Sequence, residues 1–233
     1  MKTKVVRIIS IVMLVVLILT LGTGIAGAIA KSNLAKKYPA PGQLVDVGGY
    51  KLHINCTGQG SPTVILEAGM GNYSLFWANV QPEVAKYTRV CSYDRAGYGW
   101  SEPSPRPRTT IVEVEELHTL LVNANVEGPY VLVGHSLGGM NVRVYAHNYP
   151  DEVVGMVLVD STHEEQRIRF PESLLKADQE MAGQFRMFAF LSSTGMLAMA
   201  PQTMSNPGLP ADAFKQYQAI TATTEGGRHT LPK

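Results

Sequence analysis

The sequence predicts an α/β domain with a mostly parallel sheet and helices on both faces, and three observations predict it. Short apolar strands alternate with helical segments from Thr63 to Val159, the order that yields parallel strands joined by crossover helices. A hairpin pattern, Gln43 to Val47 and Tyr50 to Cys56 around Gly48-Gly49, precedes them and opens the sheet antiparallel. At the centre, Val131-Leu-Val-Gly-His-Ser-Leu-Gly-Gly139 reads as a buried strand, a tight turn and the start of a helix. Ligands of such sheets sit outside the carboxyl ends of the strands. Gly69-Met70, Gly134 to Ser136 and Asp160 all fall at such ends.

A chain of 233 residues, 45% apolar and 17% charged, can bury one good-sized core. A net charge of +1 gives no reason to expect a nucleic acid or an acidic polymer as partner. No clustered Cys/His spacing suggests a metal, and no motif calls for a cofactor. At the amino terminus, Lys2, Lys4 and Arg7 precede 23 uncharged residues from Ile8 to Ala30. As a helix at about 1.5 Å per residue, that run crosses a bilayer's hydrocarbon core. Its length favours an uncleaved anchor, whereas Ala28-Ile-Ala30 also fits the cleavage site of a signal peptide. Either reading exports the domain. Export permits a disulfide between Cys56 and Cys91 if their strands are adjacent, with two buried thiols as the alternative.

Taken in order, residues 31 to 42 read as a polar linker ending in Tyr38-Pro-Ala-Pro-Gly42. After the hairpin, Thr63 to Glu67 is a short apolar strand leading into Ala68-Gly-Met-Gly71, and a helix is expected over Leu75 to Tyr87. Thr88 to Tyr93 is the next strand, closed by Asp94-Arg-Ala-Gly-Tyr-Gly-Trp-Ser101, where Asp94 is expected to hold its own glycine-rich loop. Thr110-Ile-Val-Glu113 forms a capping box for a helix with Ile111, Val114, Leu117 and Leu121 on one face. The helix after the serine turn runs from Met140 to Tyr149, and Val153 to Val159 reads as another buried strand. Beyond Asp160 strands cease, and helical pieces are expected over Glu172 to Phe190 and Ala211 to Thr221. The chain thus divides into a membrane or signal segment with linker (1–37), a core (38–162) and a helical cap region (163–233).

Gly134-His-Ser-Leu-Gly138 fits G-x-S-x-G, a turn on which glycines permit close backbone approach and a serine hydroxyl is held outward. The plainer alternative is a βα turn whose Ser136 caps the following helix. Acyl transfer to a serine places negative charge on a carbonyl oxygen, which needs amide donors aimed at it. The Leu137 amide at the helix start is one, and the Met70 amide, between Gly69 and Gly71, is the second choice for this oxyanion hole. A plain flexible turn would also explain those glycines.

Glu67-Ala-Gly-Met-Gly71, Tyr93-Asp-Arg-Ala-Gly-Tyr-Gly-Trp-Ser101 and Gly134-His-Ser-Leu-Gly-Gly139, in that order, resemble the α/β-hydrolase superfamily, most closely its exported or membrane-anchored bacterial members. The resemblance spans Gln43 to Thr162. It implies Ser136 as nucleophile on the nucleophile elbow and the amides of Met70 and Leu137 as the oxyanion hole. Ala68 departs from the His-Gly that many members carry there. The triad order of the family is serine, acid, histidine, and the two strands that would carry the last histidine are expected to be missing here. Asp160 is the candidate acid, with a structural role as the alternative. Of the histidines, His135 should point away from Ser136, His118 and His147 lie on helices, and His53 lies away from the strand ends. His163 and His229 are the remaining candidates for a base. The expectation is a serine hydrolase for small ester or amide substrates, on an incomplete copy of the fold. The alternative is a non-catalytic binding protein that keeps the pocket. Met181, Phe185, Met187, Phe188, Met196 and Met199 suggest an apolar pocket in the cap, or equally a cap packed on its own core.

Overall fold

The computed structural model describes residues 2–223. Helix α1 (Lys2–Lys37) runs without a break through the uncharged segment and beyond it. The linker expected from residue 31 therefore begins only after Lys37. Leu34 and Ala35 are good helix formers, Lys36 and Lys37 suit the negative end of the helix dipole, and Pro39 lies just past the end.

Strands β1 (Gln43–Asp46) and β2 (Lys51–Thr57) form the expected hairpin, with Asp46 opposite Lys51. The Asp46 carboxylate accepts from the amides of Gly48 and Gly49 and so closes the turn. Strand β3 (Thr63–Glu67) is buried along its whole length. The helix expected over Leu75 to Tyr87 is instead a 3-10 turn at Ser74–Trp77 and one α turn, α2 (Gln81–Val84). Pro82 accounts for the split, because it fits only the first turn of a helix. Strand β4 (Val90–Tyr93) follows. Helix α3 (Thr110–Asn123) is capped by Thr109, whose hydroxyl accepts from the Val112 amide. The cap thus sits one residue before the expected box. Val114, Leu117 and Leu121 are buried as expected, together with Val112 and Leu120, whereas Ile111 is exposed.

Strand β5 (Tyr130–His135) leads through Ser136 directly into α4 (Leu137–Asn148), three residues earlier than the sequence suggested. Strand β6 (Val153–Val159) comes next, then the single turn α5 (Gln166–Arg169), the long α6 (Glu172–Ser193), the short α7 (Met196–Met199) and α8 (Ala211–Thr223).

The six strands are ordered β1-β2-β4-β3-β5-β6, antiparallel from β1 to β4 and parallel thereafter. Ile65 and Leu132 pack with α3 and α4 through Leu117, Leu120, Leu121, Val142 and Tyr145. Val64, Leu66 and Val90 pack on the opposite face with Trp77. Cys56 and Cys91 are register partners on β2 and β4 and form a disulfide. Strand β6 differs from its expectation. Among the described residues it pairs only with β5, and Val154, Met156, Val157, Leu158 and Val159 are exposed on both of its faces. The order β4-β3-β5 places the switch of winding direction at β3, and ligands of such sheets bind outside the strand ends at that point.

Candidate active site

Ser136 stands between β5 and α4 with φ 51° and ψ −121°, a conformation that side chains normally avoid. Its amide donates to Val159 O, and its carbonyl accepts from the Gly139 amide and from both the amide and hydroxyl of Thr162. The backbone is therefore held on every side. Its side chain makes no capping bond to α4, so the helix-cap alternative fails. A Cβ on Gly134 would lie 2.5 Å from Gly138 O, and one on Gly138 would lie 2.5 Å from Glu67 O. Both glycines are required by close approach.

The loop after β3 crosses the same spot. A Cβ on Gly69 would lie 2.8 Å from His135 Nδ1 and 3.3 Å from Ser136 Cβ. Only a glycine lets this backbone pass so near the serine, and Met70 follows it directly. Among the described residues, neither the Met70 nor the Leu137 amide has an acceptor. Two unengaged N–H groups thus flank the serine turn, one of them at the positive end of a helix dipole.

Beneath that loop lies a buried charge cluster that the sequence reading gave no role. Arg95 donates to the carbonyl oxygens of Ala68 and Gly69 (both 2.6 Å), and it pairs with Glu67. Tyr93 also donates to Glu67, and Asn141 of α4 donates to both Glu67 and Glu113. Arg108 pairs with Glu116 at 2.7 Å. Burial pushes the Glu67 carboxyl up to about 7, with Glu113 acting in the same direction and Arg95 opposing. The available signal was a charged residue closing an otherwise apolar strand, which the core tolerates only with partners.

Asp160 follows β6 with φ 43° and is exposed, with no hydrogen-bond or ion-pair partner among the described residues. His163 is exposed, pairs with Glu164, and lines a shallow cleft with Ser161, Gln166, Arg169 and Phe170. His118 stacks on Tyr149 and meets Glu152, and His147 faces solvent. His53, on β2 of the hairpin but expected away from the strand ends, lies beside the carboxyl end of β4, buried against Asp94 at 2.9 Å with Nε2 on Pro41 O. Asp94 holds its loop as expected, accepting from the Trp100 and Ser74 amides. No described histidine bonds the Ser136 hydroxyl, and His229 lies outside the described residues. In the cap, Met187, Met196 and Met199 face outward rather than into a pocket, and the side chains of Met181, Phe185 and Phe188 lie outside the described residues.

Comparison with known proteins places this fold. Residues 62–224 fit the family model described as alpha/beta hydrolase fold. The chain belongs to the α/β-hydrolase family. An uncharacterized vacuolar membrane protein of Saccharomyces cerevisiae is 34% identical over 134 residues, half of this chain and 21% of that protein. The chain spans between a fifth and about half of the length of the curated relatives compared. Among solved structures, the epoxide hydrolase CorEH superposes with a TM-score of 0.60 at 17% identity, covering 80% of this α/β hydrolase and 73% of that chain. A bacterial membrane phospholipase A superposes with a TM-score of 0.58 at 18% identity, covering 97% of this chain and 72% of the other. At such identities the likeness is one of fold.

Proposed function

We propose that this α/β hydrolase is a serine hydrolase that cleaves small ester or amide substrates through an acyl-serine. Ser136 is the nucleophile, and the amides of Met70 and Leu137 receive the carbonyl oxygen as it becomes an oxyanion. The Ser136 hydroxyl adds to the carbonyl carbon, its proton passes to a base, and the alcohol or amine departs with that proton. Water then repeats the sequence to release the acid. The observation that carries this reading is the strained, positive-φ serine whose side chain does not serve its helix. Such strain persists where the fold over-determines it and function uses it. Asp160 is the acid in this reading, with the base drawn from His163, from His229, or from strands that would pair with the open edge of β6. The exposed apolar residues of β6 support the last option.

The membrane reading belongs here too. Helix α1 is long and apolar enough to cross a bilayer, and we read it as an anchor that holds the domain on the extracytoplasmic side. The Cys56–Cys91 disulfide fits an oxidising compartment. Gly27 packs on Gly195, a contact that cleavage after Ala30 would remove.

A second reading, a binding protein that keeps the pocket without turnover, is favoured by the lack of any described histidine on Ser136. A fluorophosphonate probe separates the two. Labelling of the membrane-reconstituted chain that vanishes in Ser136→Ala supports the hydrolase. Labelling that survives Ser136→Ala removes Ser136 from the role, and an unlabelled folded protein favours the binding reading.

A further inference from the structure

Helix α1 is not a bare tether. Its last turns pack against α7 and α8, and Gly27 marks the closest approach. A Cβ there would lie 2.8 Å from Thr194 O and 3.0 Å from Gly195 Cα. The Lys31 ammonium reaches Ser193 O at 3.4 Å, one turn further on. The cap is therefore fixed to the anchor at a defined height.

That height can be read from the sequence. Gly27 lies inside the uncharged run, four residues before Lys31. At a rise of about 1.5 Å per residue, the contact sits roughly 6 Å inside the first charge. Amphipathic elements that rest on membranes bury their apolar faces by about 5–10 Å. The two depths agree.

Gly195, just before α7, and Ala198 on it are buried, while Met196 and Met199, one residue on from each, are 51% and 45% exposed. Phe190 and Met187, one turn apart near the end of α6, are 60% and 61% exposed. Scattered exposed apolar residues are ordinary on a soluble surface. Four large ones beside the exit of an apolar helix are not scattered.

Resting on the reading of α1 as an uncleaved anchor, we infer that Phe190, Met187, Met196 and Met199 dip into the same bilayer leaflet and seat the cap on the lipid surface. The basic Lys31, Lys36 and Lys37 at the end of α1 lie at headgroup level and favour anionic lipid. The catalytic edge of the sheet is tied to this seat. Tyr73, two residues past Gly71, bonds Thr221 of α8 at 2.7 Å, and α8 packs on α1. The candidate site is thereby held at a fixed distance from the membrane instead of swinging on a linker.

The test uses the full chain in vesicles of phosphatidylethanolamine and phosphatidylglycerol. Its two cysteines are joined, so an introduced cysteine is the single free thiol. A polarity-sensitive fluorophore is placed in turn at Phe190→Cys, Met196→Cys, Met199→Cys, Ile18→Cys within the anchor, and Tyr87→Cys, an exposed position before the amino end of β4 and opposite the strand ends that carry the serine. Quenching by lipid-borne nitroxide is compared with quenching by aqueous iodide. The expected result is that labels at 190, 196 and 199 follow Ile18, with nitroxide quenching at least roughly twofold above that at Tyr87. If Ile18 is quenched from the lipid while the three cap labels are quenched by iodide, the anchor stands and the seated cap is overturned. If Ile18 itself is quenched by iodide, the anchor reading falls and the inference with it. Cap labels shielded from both quenchers would mean that a second copy covers the surface, which also overturns it.

Discussion

At position 136 the backbone adopts φ 51° on a residue with a Cβ, a cost of about 1–3 kcal/mol. Glycine there removes the cost but adds chain freedom worth about 0.5–1 kcal/mol in the unfolded state. Ser136→Gly should therefore stabilise the fold by about 1 kcal/mol, raising Tm by roughly 2–4 °C, while abolishing probe labelling. Ser136→Ala should abolish labelling without that gain, because the Cβ remains. Calorimetry of the two variants in detergent checks this, and equal Tm values would deny the strain. Gly69 gives the complementary experiment. Its missing Cβ would meet His135 Nδ1 at 2.8 Å and Ser136 Cβ at 3.3 Å, so Gly69→Ala crowds the serine turn, and relief through the loop rather than the His135 ring moves the Met70 amide away from the serine. Loss of one oxyanion donor costs about 10²–10³ in rate, and the probe's labelling rate should fall by roughly that factor with the Tm little changed.

Among the elements, β3 and β4 with their following loops carry the most consequence, since they hold the glycine loop over the serine. Three carboxylates, Glu67, Glu113 and Glu116, face two guanidinium groups, Arg95 and Arg108. One proton on a carboxyl balances the cluster, in line with a Glu67 pKa raised by burial to about 7. The native state thus holds a proton that the unfolded chain releases near its ordinary 4.5. The stability this group contributes is full below that value and is lost as pH rises through about 7. Urea midpoints should decline over that interval in the parent, and Glu67→Gln should flatten the decline. The disulfide joins β2 to β4, closing a loop with a sequence separation of 35. Its reduction should cost about 3–4 kcal/mol by loop entropy, read as a lower urea midpoint in dithiothreitol. Much of this frame was legible in the sequence, because runs such as Thr63 to Glu67 and the Gly48-Gly49 hairpin are decided by neighbours along the chain. What escaped was decided across space. Pro82 split a helix, Thr109 took the cap from Thr110, and the partners of Glu67 came from β4, α3 and α4, where no local pattern could show them.

On the scale of the whole chain, α1, the helices after β6 and the sheet are linked through Gly27, α8 and Tyr73, whereas the far side of the sheet is open. The serine turn could be read from the sequence because a short motif specifies it. The exposure of β6 could not, because Val153 to Val159 has the composition of a strand buried on both faces, and only pairing decides whether it is one. Met156 and Leu158 lie on one face of β6 and Val157 and Val159 on the other, with Val154 at a register shift against β5, all exposed, next to an edge that no described strand pairs. Unpaired, apolar and seven residues long, that edge is a template for strand addition between copies. The full chain in detergent should therefore self-associate with rising concentration. Leu158→Lys together with Val157→Lys places a charge on each face, an arrangement that natural edge strands use against such pairing. Both positions are solvent-exposed, so the change in stability should stay within about 0.5 kcal/mol, while sedimentation velocity should show the higher species depleted. Association undiminished by the two lysines would place the contact elsewhere, with the outward residues of the cap as the next surface to charge.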